Sequence, residues 1–158
     1  MSPSSVVMLP YALASVATAR RRLSSDLLAS GLFSATVDDA VLVVSELLSN
    51  ALRHAHPLPS GQLRLAWTCS EGRLEVAVSD GGATTEPRAG RPTLSSLGGR
   101  GLGIVEYLAE RWGVRHEGET TTVWAILALP QPVRNGQERK PEIHALRGRV
   151  SGTSFPRA

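Results

Sequence analysis

The chain predicts an α/β two-layer sandwich: a mostly antiparallel, mixed sheet covered on one face by three helices. Three observations carry this. Val41, Val44, Leu48, Ala51 and Ala55 recur at three- and four-residue steps, the period of a helix with one apolar stripe. Leu63, Leu65 and Trp67 alternate with Arg64, Ala66 and Thr68, the period of a half-buried strand. A Ser70-Glu71-Gly72-Arg73 loop then leads into a second alternating run, so the two strands pair as an antiparallel hairpin.

Taken in order, Ser4 to Leu9 reads as a short strand closed by Pro10. Tyr11 to Ser30 reads as a helix with Leu13, Val16, Ala17, Leu23, Leu27 and Leu28 on its apolar side and Gly31 as C-cap. Arg20-Arg21-Arg22 is its solvated face or a partner-docking run. Leu32 to Thr36 connects to the next helix, with Thr36 as N-cap and Asp38 and Asp39 in the first turn. That helix ends before Pro57, and His56 to Gly61 is a turn rich in breakers. Gln62 to Cys69 and Leu74 to Val78 are the hairpin strands. Gly81 to Gly98 is a Pro- and Gly-rich stretch without periodicity, and a loop of that length is usually functional. Leu102 to Trp112 reads as a helix with Ile104, Val105, Leu108 and Ala109 in the core and Gly113 ending it. Val114 to His116 is a short strand, and Thr121 to Leu129 is the last, closed by Pro130.

With 158 residues, one domain over 1–130 is the prior, followed by a basic, disordered tail over 131–158. The tail holds six Lys/Arg against two Asp/Glu, which leaves eleven against twelve in the body, so the net charge of +3 resides in the tail. Only Phe155 offers a stacking surface there, so direct nucleic-acid binding is not expected; a tail acting on nucleic acid by charge alone is a third-ranked reading. The one cysteine, Cys69, excludes an intramolecular disulfide and a cysteine-built metal site, and fits a cytoplasmic location. No secretory signal or membrane-length apolar run is evident.

Four motifs carry chemistry. Glu46, Asn50 and His54 make a polar stripe at four-residue steps beside the apolar one. Asn50 offers an uncharged oxygen that can sit among phosphates and Mg²⁺, and Glu46, one turn earlier, can take a proton from a hydroxyl. Asp80, ending a strand, can accept from an exocyclic amine, and Gly82 lets the backbone approach a base. Gly99, Gly101 and Gly103 open a helix whose N–H groups can hold phosphates, with Arg100 among them. Thr122, in the last strand, can place a hydroxyl on the pocket floor. Each has a plainer reading: Glu46 as a surface acid, Asn50 as a cap, Asp80-Gly81-Gly82 as a turn, Arg100 as a loop charge, Thr122 as a β-former, His54 as a structural histidine. No Gly-Lys dipeptide occurs, so a Walker A loop is excluded.

The order helix-Glu-Asn, strand-Asp-x-Gly, Gly-x-Gly-helix, threonine strand resembles the Bergerat ATP-binding fold of gyrase, sensor histidine kinases and mismatch-repair ATPases. Its short form resembles the anti-sigma-factor serine/threonine kinases of bacteria. The resemblance covers roughly residues 5–129. It implies ATP and Mg²⁺ as cofactors, Glu46 as catalytic base, Asn50 as Mg²⁺ ligand, and Asp80 with Gly82 reading adenine. It also implies an ATP lid over about 81–100, with Gly99, Arg100, Gly101, Leu102 and Gly103 covering the phosphates and Arg53 facing them. The implied partners are a sigma factor and an anti-anti-sigma protein of the STAS type, with a homodimer possible and no membrane. Two departures stand out. The first glycine motif lacks the longer Asp-x-Gly-x-Gly form, and Thr121 stands where close relatives often carry lysine. A nucleotide-dependent protein-binding module without significant catalysis is the alternative reading.

Overall fold

A computed structural model describes residues 4–83 and 100–130. The body of the expected lid, with Gly99, and the expected tail lie outside the described residues, as do the side chains of residues 100 and 101. The elements run β1 (Ser4–Pro10), α1 (Ala14–Ala29), α2 (Ser34–His54), β2 (Gln62–Ser70), β3 (Arg73–Asp80), α3 (Arg100–Leu108), β4 (Arg111–Glu117) and β5 (Thr120–Ala128). The strands form one sheet in the order β1-β2-β3-β5-β4, and every pair in it is antiparallel, so the parallel component of the expected mixed sheet does not occur among the described residues.

Alternation decides the two faces of this sheet. Leu63, Leu65 and Trp67 of β2, Leu74, Val76 and Val78 of β3, and Val123, Ala125 and Leu127 of β5 are buried in one core with the helices. Helix α2 supplies Val37, Ala40, Val43, Val44, Leu47, Leu48 and Ala51 to that core, and α3 supplies Leu102 and Val105. The β2–β3 hairpin turns through Glu71 and Gly72, both at positive φ (48° and 77°), the two-residue turn whose twist matches the strands.

Helix α1 ends as expected at Gly31 (φ 90°). The Leu32 N–H donates to the Leu27 carbonyl and the Gly31 N–H to that of Leu28, which satisfies two terminal carbonyls. Its buried stripe differs from the expected one. Ser15, Ala19, Leu23 and Leu27 point inward, whereas Leu13 is 78% exposed and Leu28 is also exposed. The first two inward positions, Ser15 and Ala19, are polar or small, so hydrophobicity alone misplaced the face. Trp67, buried in the core, donates its indole N–H to Asp26 at 2.6 Å and so ties α1 to the sheet.

Two boundaries also differ. Helix α2 begins at Ser34, with Phe33 extended at the N-cap, and Thr36 is a buried residue of its first turn rather than its cap. Helix α3 stops at Leu108, and Trp112 and Gly113 belong to β4. Gly113 serves the sheet instead: a Cβ there would lie 2.6 Å from the indole of its cross-strand partner Trp124. No helix among the described residues is long and apolar enough to cross a membrane.

Replacing Trp67 by Phe should keep the packing and lose the bond to Asp26. A loss of about 1.5–3 kcal/mol in urea unfolding is expected, the range for a hydrogen bond to a charged group.

Candidate functional site

The C-terminal half of α2 runs over the ends of β3 and β5. Leu47, Asn50, Ala51, His54 and Ala55 from the helix face Val78, Asp80 and Ala83 beside β3 and Thr121 and Val123 on β5. The described residues enclose ≈ 60 Å³ between them, room for the edge of a flat ring.

Backbone pairing closes one end of this pocket. The His56 N–H donates to the Gly82 carbonyl, and the Gly81 N–H to the His56 carbonyl, both at 2.8 Å, and Ala55 bridges to Ala83. Gly81 is confined by the contact: a Cβ on it would come within 2.2 Å of the Pro57 carbonyl oxygen. The Tyr11 hydroxyl donates to the Ala55 carbonyl at 2.6 Å and lies 3.2 Å from that of Leu52, and so caps the end of α2.

Two of the polar side chains that line this pocket are buried. Asn50 is 6% exposed, and its Oδ1 has no hydrogen-bond partner. A buried orphan acceptor is costly and rare, and one that lines a pocket is free to meet a ligand. Asp80 is 5% exposed and accepts the Gly82 N–H at 2.8 Å. Burial pushes its carboxyl up to about 6, against the opposing pull of that hydrogen bond and of His116 and His56.

The remaining expected residues fall in different places. Glu46 is half-buried one turn before Asn50 on α2, outside the pocket lining. His54 lines the pocket. Arg53 is exposed, about 60° round the helix from Asn50 on the solvent side, and does not line the pocket; its charge sits in the last turn, where the helix dipole favours it. Gly82 adopts φ +107°, a conformation that favours glycine. The helix after the glycine motif begins at Arg100, so Gly101, Leu102 and Gly103 lie in its first turn. The Leu102 side chain is fully buried in the core, which leaves only its backbone for a ligand.

Thr122 is a correction. Val123, Ala125 and Leu127 point inward, so by the two-residue period Thr121 does too and Thr122 points away. Thr121 lines the pocket and stands in register with Asp80, while Thr122 hydrogen-bonds Ser79 at 2.7 Å on the opposite face. That face, turned away from the described helices, carries a wider hollow that includes Arg64, Glu75, Ser79, Arg115 and Thr122. The inward position was readable from the alternation of β5 itself. His116 was missed for a different reason: it has no ligand spacing in the sequence, yet it pairs with Thr121 across β4 and β5.

The donor set suits a magnesium–nucleotide ligand. No cluster of three His, Cys, Asp or Glu able to hold a metal occurs among the described residues. Asn50 Oδ1, buried and without a partner, is an oxygen that a hard cation could take together with phosphate and water oxygens.

Comparison with known proteins identifies the family and the fold. The histidine kinase-like ATPase domain family matches residues 9–127. The chain is 27% identical over 129 residues to the serine-protein kinase RsbW of Staphylococcus epidermidis, covering 70% of this chain and 81% of that one. The same match is found in two named strains of that organism. The crystal structure of the RsbU and RsbW domains of Rv1364c from Mycobacterium tuberculosis superposes with a TM-score of 0.65 at 21% identity. It covers 84% of this chain, which spans about a third (34%) of that longer one.

Asp80→Asn should stabilise the ligand-free protein. An acid raised in the folded state is harder to ionise there, so wild-type stability falls as pH rises from about 4 through 6, by about 2–3 kcal/mol at most. Thermal melts should show the Asp80→Asn variant ahead of wild type at pH ~8, with the gap closing near pH ~4. Gly81→Ala should lower stability by about 1–3 kcal/mol at every pH, because the Pro57 carbonyl is backbone and must shift.

Proposed function

The chain belongs to the histidine kinase-like ATPase domain family, and from that premise we propose that it is an ATP-dependent serine/threonine protein kinase of the anti-sigma type. The observation that carries the reading is the orphan Oδ1 of Asn50, buried in the same pocket as the carboxyl of Asp80. Similarity to a serine-protein kinase RsbW supports the class of reaction.

In this reading the Asp80 carboxylate accepts from the adenine amine, with the Thr121 hydroxyl beside it in register. Gly82, without a Cβ, lets the base lie against the backbone. Asn50 Oδ1 holds Mg²⁺ as a neutral ligand, and the ion when bound neutralises charge on the phosphates. The first turn of α3, with Gly101 and Gly103, presents backbone N–H groups to the phosphates. Gly99 and Arg100 take part where that helix opens. Glu46, half-buried and one turn from Asn50, receives the proton of the attacking serine or threonine hydroxyl. The phosphorylated partner is an anti-anti-sigma protein of the STAS type. When that partner is unavailable the chain holds a sigma factor, as a homodimer in the cytoplasm. The body over 1–130 carries these functions, with the lid over 81–100, and the basic 131–158 segment is accessory.

Calorimetry and partner phosphorylation test this in two steps. Asn50→Ala should lose Mg²⁺-dependent ATP binding by about tenfold or more, the effect of losing one charge-assisted contact. Glu46→Gln should keep ATP binding and lose phosphoryl transfer by about 10²–10⁴-fold, the range for a general base. Full transfer by Glu46→Gln would overturn its role. ATP binding without any transfer by wild type to its partner would leave a nucleotide-dependent binding module.

A further inference from the structure

Three polar residues form one row across three neighbouring strands on the helix-facing side of the sheet. Asp80 on β3 is the register partner of Thr121 on β5, and Thr121 is the register partner of His116 on β4. The parity agrees: Trp112 and Val114, the preceding alternate residues of β4, pack against the core. His116 Nδ1 lies 3.2 Å from Thr121 Oγ1. His116 is also one of the two histidines near enough to pull the Asp80 carboxyl down against the effect of burial. The row therefore begins at a buried acceptor and ends at an exposed imidazole on the sheet edge, with one hydroxyl between them.

A hydroxyl has a single proton. If Thr121 directed it at His116, the pocket would present two adjacent acceptors, Asp80 and Thr121 Oγ1. If His116 donates instead, the Thr121 proton is free to turn into the pocket, and the site presents an acceptor beside a donor. Adenine offers the complement: its exocyclic amine donates, and the neighbouring ring nitrogen N1 accepts. Guanine offers the reverse order at the same edge.

We propose that His116 is a positioning residue for base recognition: its Nδ1–H donates to Thr121 Oγ1 and so aims the Thr121 hydroxyl proton at adenine N1, directly or through one water. The inference rests on the nucleotide reading above and adds to it the residue that sets the hydrogen-bond polarity of the base end. His116 itself touches no substrate and acts through Thr121. A polar site built this way discriminates strongly, because a ligand that cannot match it leaves buried groups unpaired.

The test is calorimetric titration with ATP and with its 1-deaza analogue, in which a C–H replaces N1. Wild type should bind ATP about fivefold to tenfold more tightly than the analogue, the contribution of one such bond. In His116→Phe the Thr121 hydroxyl keeps its proton but is no longer held toward the base, so the preference for ATP should shrink without vanishing, while affinity for the analogue stays as in wild type. His116→Asn, whose amide nitrogen falls near the Nδ1 position, should restore most of the preference. Thr121→Val should abolish it, and adding His116→Phe to Thr121→Val should change nothing further. A purely structural role would weaken both nucleotides equally, and that outcome overturns the proposal. So does an undiminished preference in His116→Phe, or a wild type indifferent to N1; both leave ATP binding standing. Failure of wild type to bind ATP at all overturns both readings together.

Discussion

The end of α2 is tied to the end of β3 by backbone alone, and the site depends on that tie. His56 exchanges hydrogen bonds with Gly81 and Gly82, and Gly81 packs so closely on the Pro57 carbonyl that no side chain fits. Because Asn50 is one turn from the end of α2 and Asp80 is the last residue of β3, this strap sets the span between them. Tyr11 adds a side-chain cap to the same helix end, bringing the β1–α1 connection into the arrangement. A glycine that reads as simple turn chemistry is in fact a steric requirement of the site's frame.

The frame holds groups that the folded protein would be more stable without. Asp80 ionises reluctantly in its apolar surroundings, and Asn50 keeps an acceptor away from water with no partner. Natural proteins tolerate such defects where a ligand relieves them, and binding then adds to stability by mass action. The apolar residues around the pair, Leu47, Ala51, Val78 and Val123, do more than fill space. They lower the local dielectric, which raises both the cost of the empty site and the strength of a matched ligand's hydrogen bonds.

The two faces of the sheet divide the work. One packs on α2 and α3 and ends in the row Asp80, Thr121, His116; the other faces away from the described helices and carries the Ser79–Thr122 pair. One residue of shift separates the two assignments for β5, since neighbouring threonines on a strand point to opposite faces. A run of three threonines hides this parity locally. The apolar residues after it, Val123, Ala125 and Leu127, reveal it.

Long periodic patterns were legible in the chain itself. The apolar stripe of α2, the β2–β3 hairpin and the polar line through Asn50 and His54 follow from the 3.6- and two-residue periods, which local sterics impose on any chain. The Asp80-Gly81-Gly82 stop was legible because few residue types allow the positive φ of Gly82, and the glycines of α3 because small residues at a helix start leave its backbone N–H groups open. Element ends and faces built from small residues were not: Ser15 and Ala19 of α1, Thr36 of α2 and Gly113 of β4 carry weak local signals, and their roles come from what packs against them. Only the tertiary structure brought His116 beside Thr121, left Arg53 in solvent and pressed Gly81 on Pro57. Sequence determines which groups a chain offers and on which local face; register between distant strands and close backbone contact decide which of them meet.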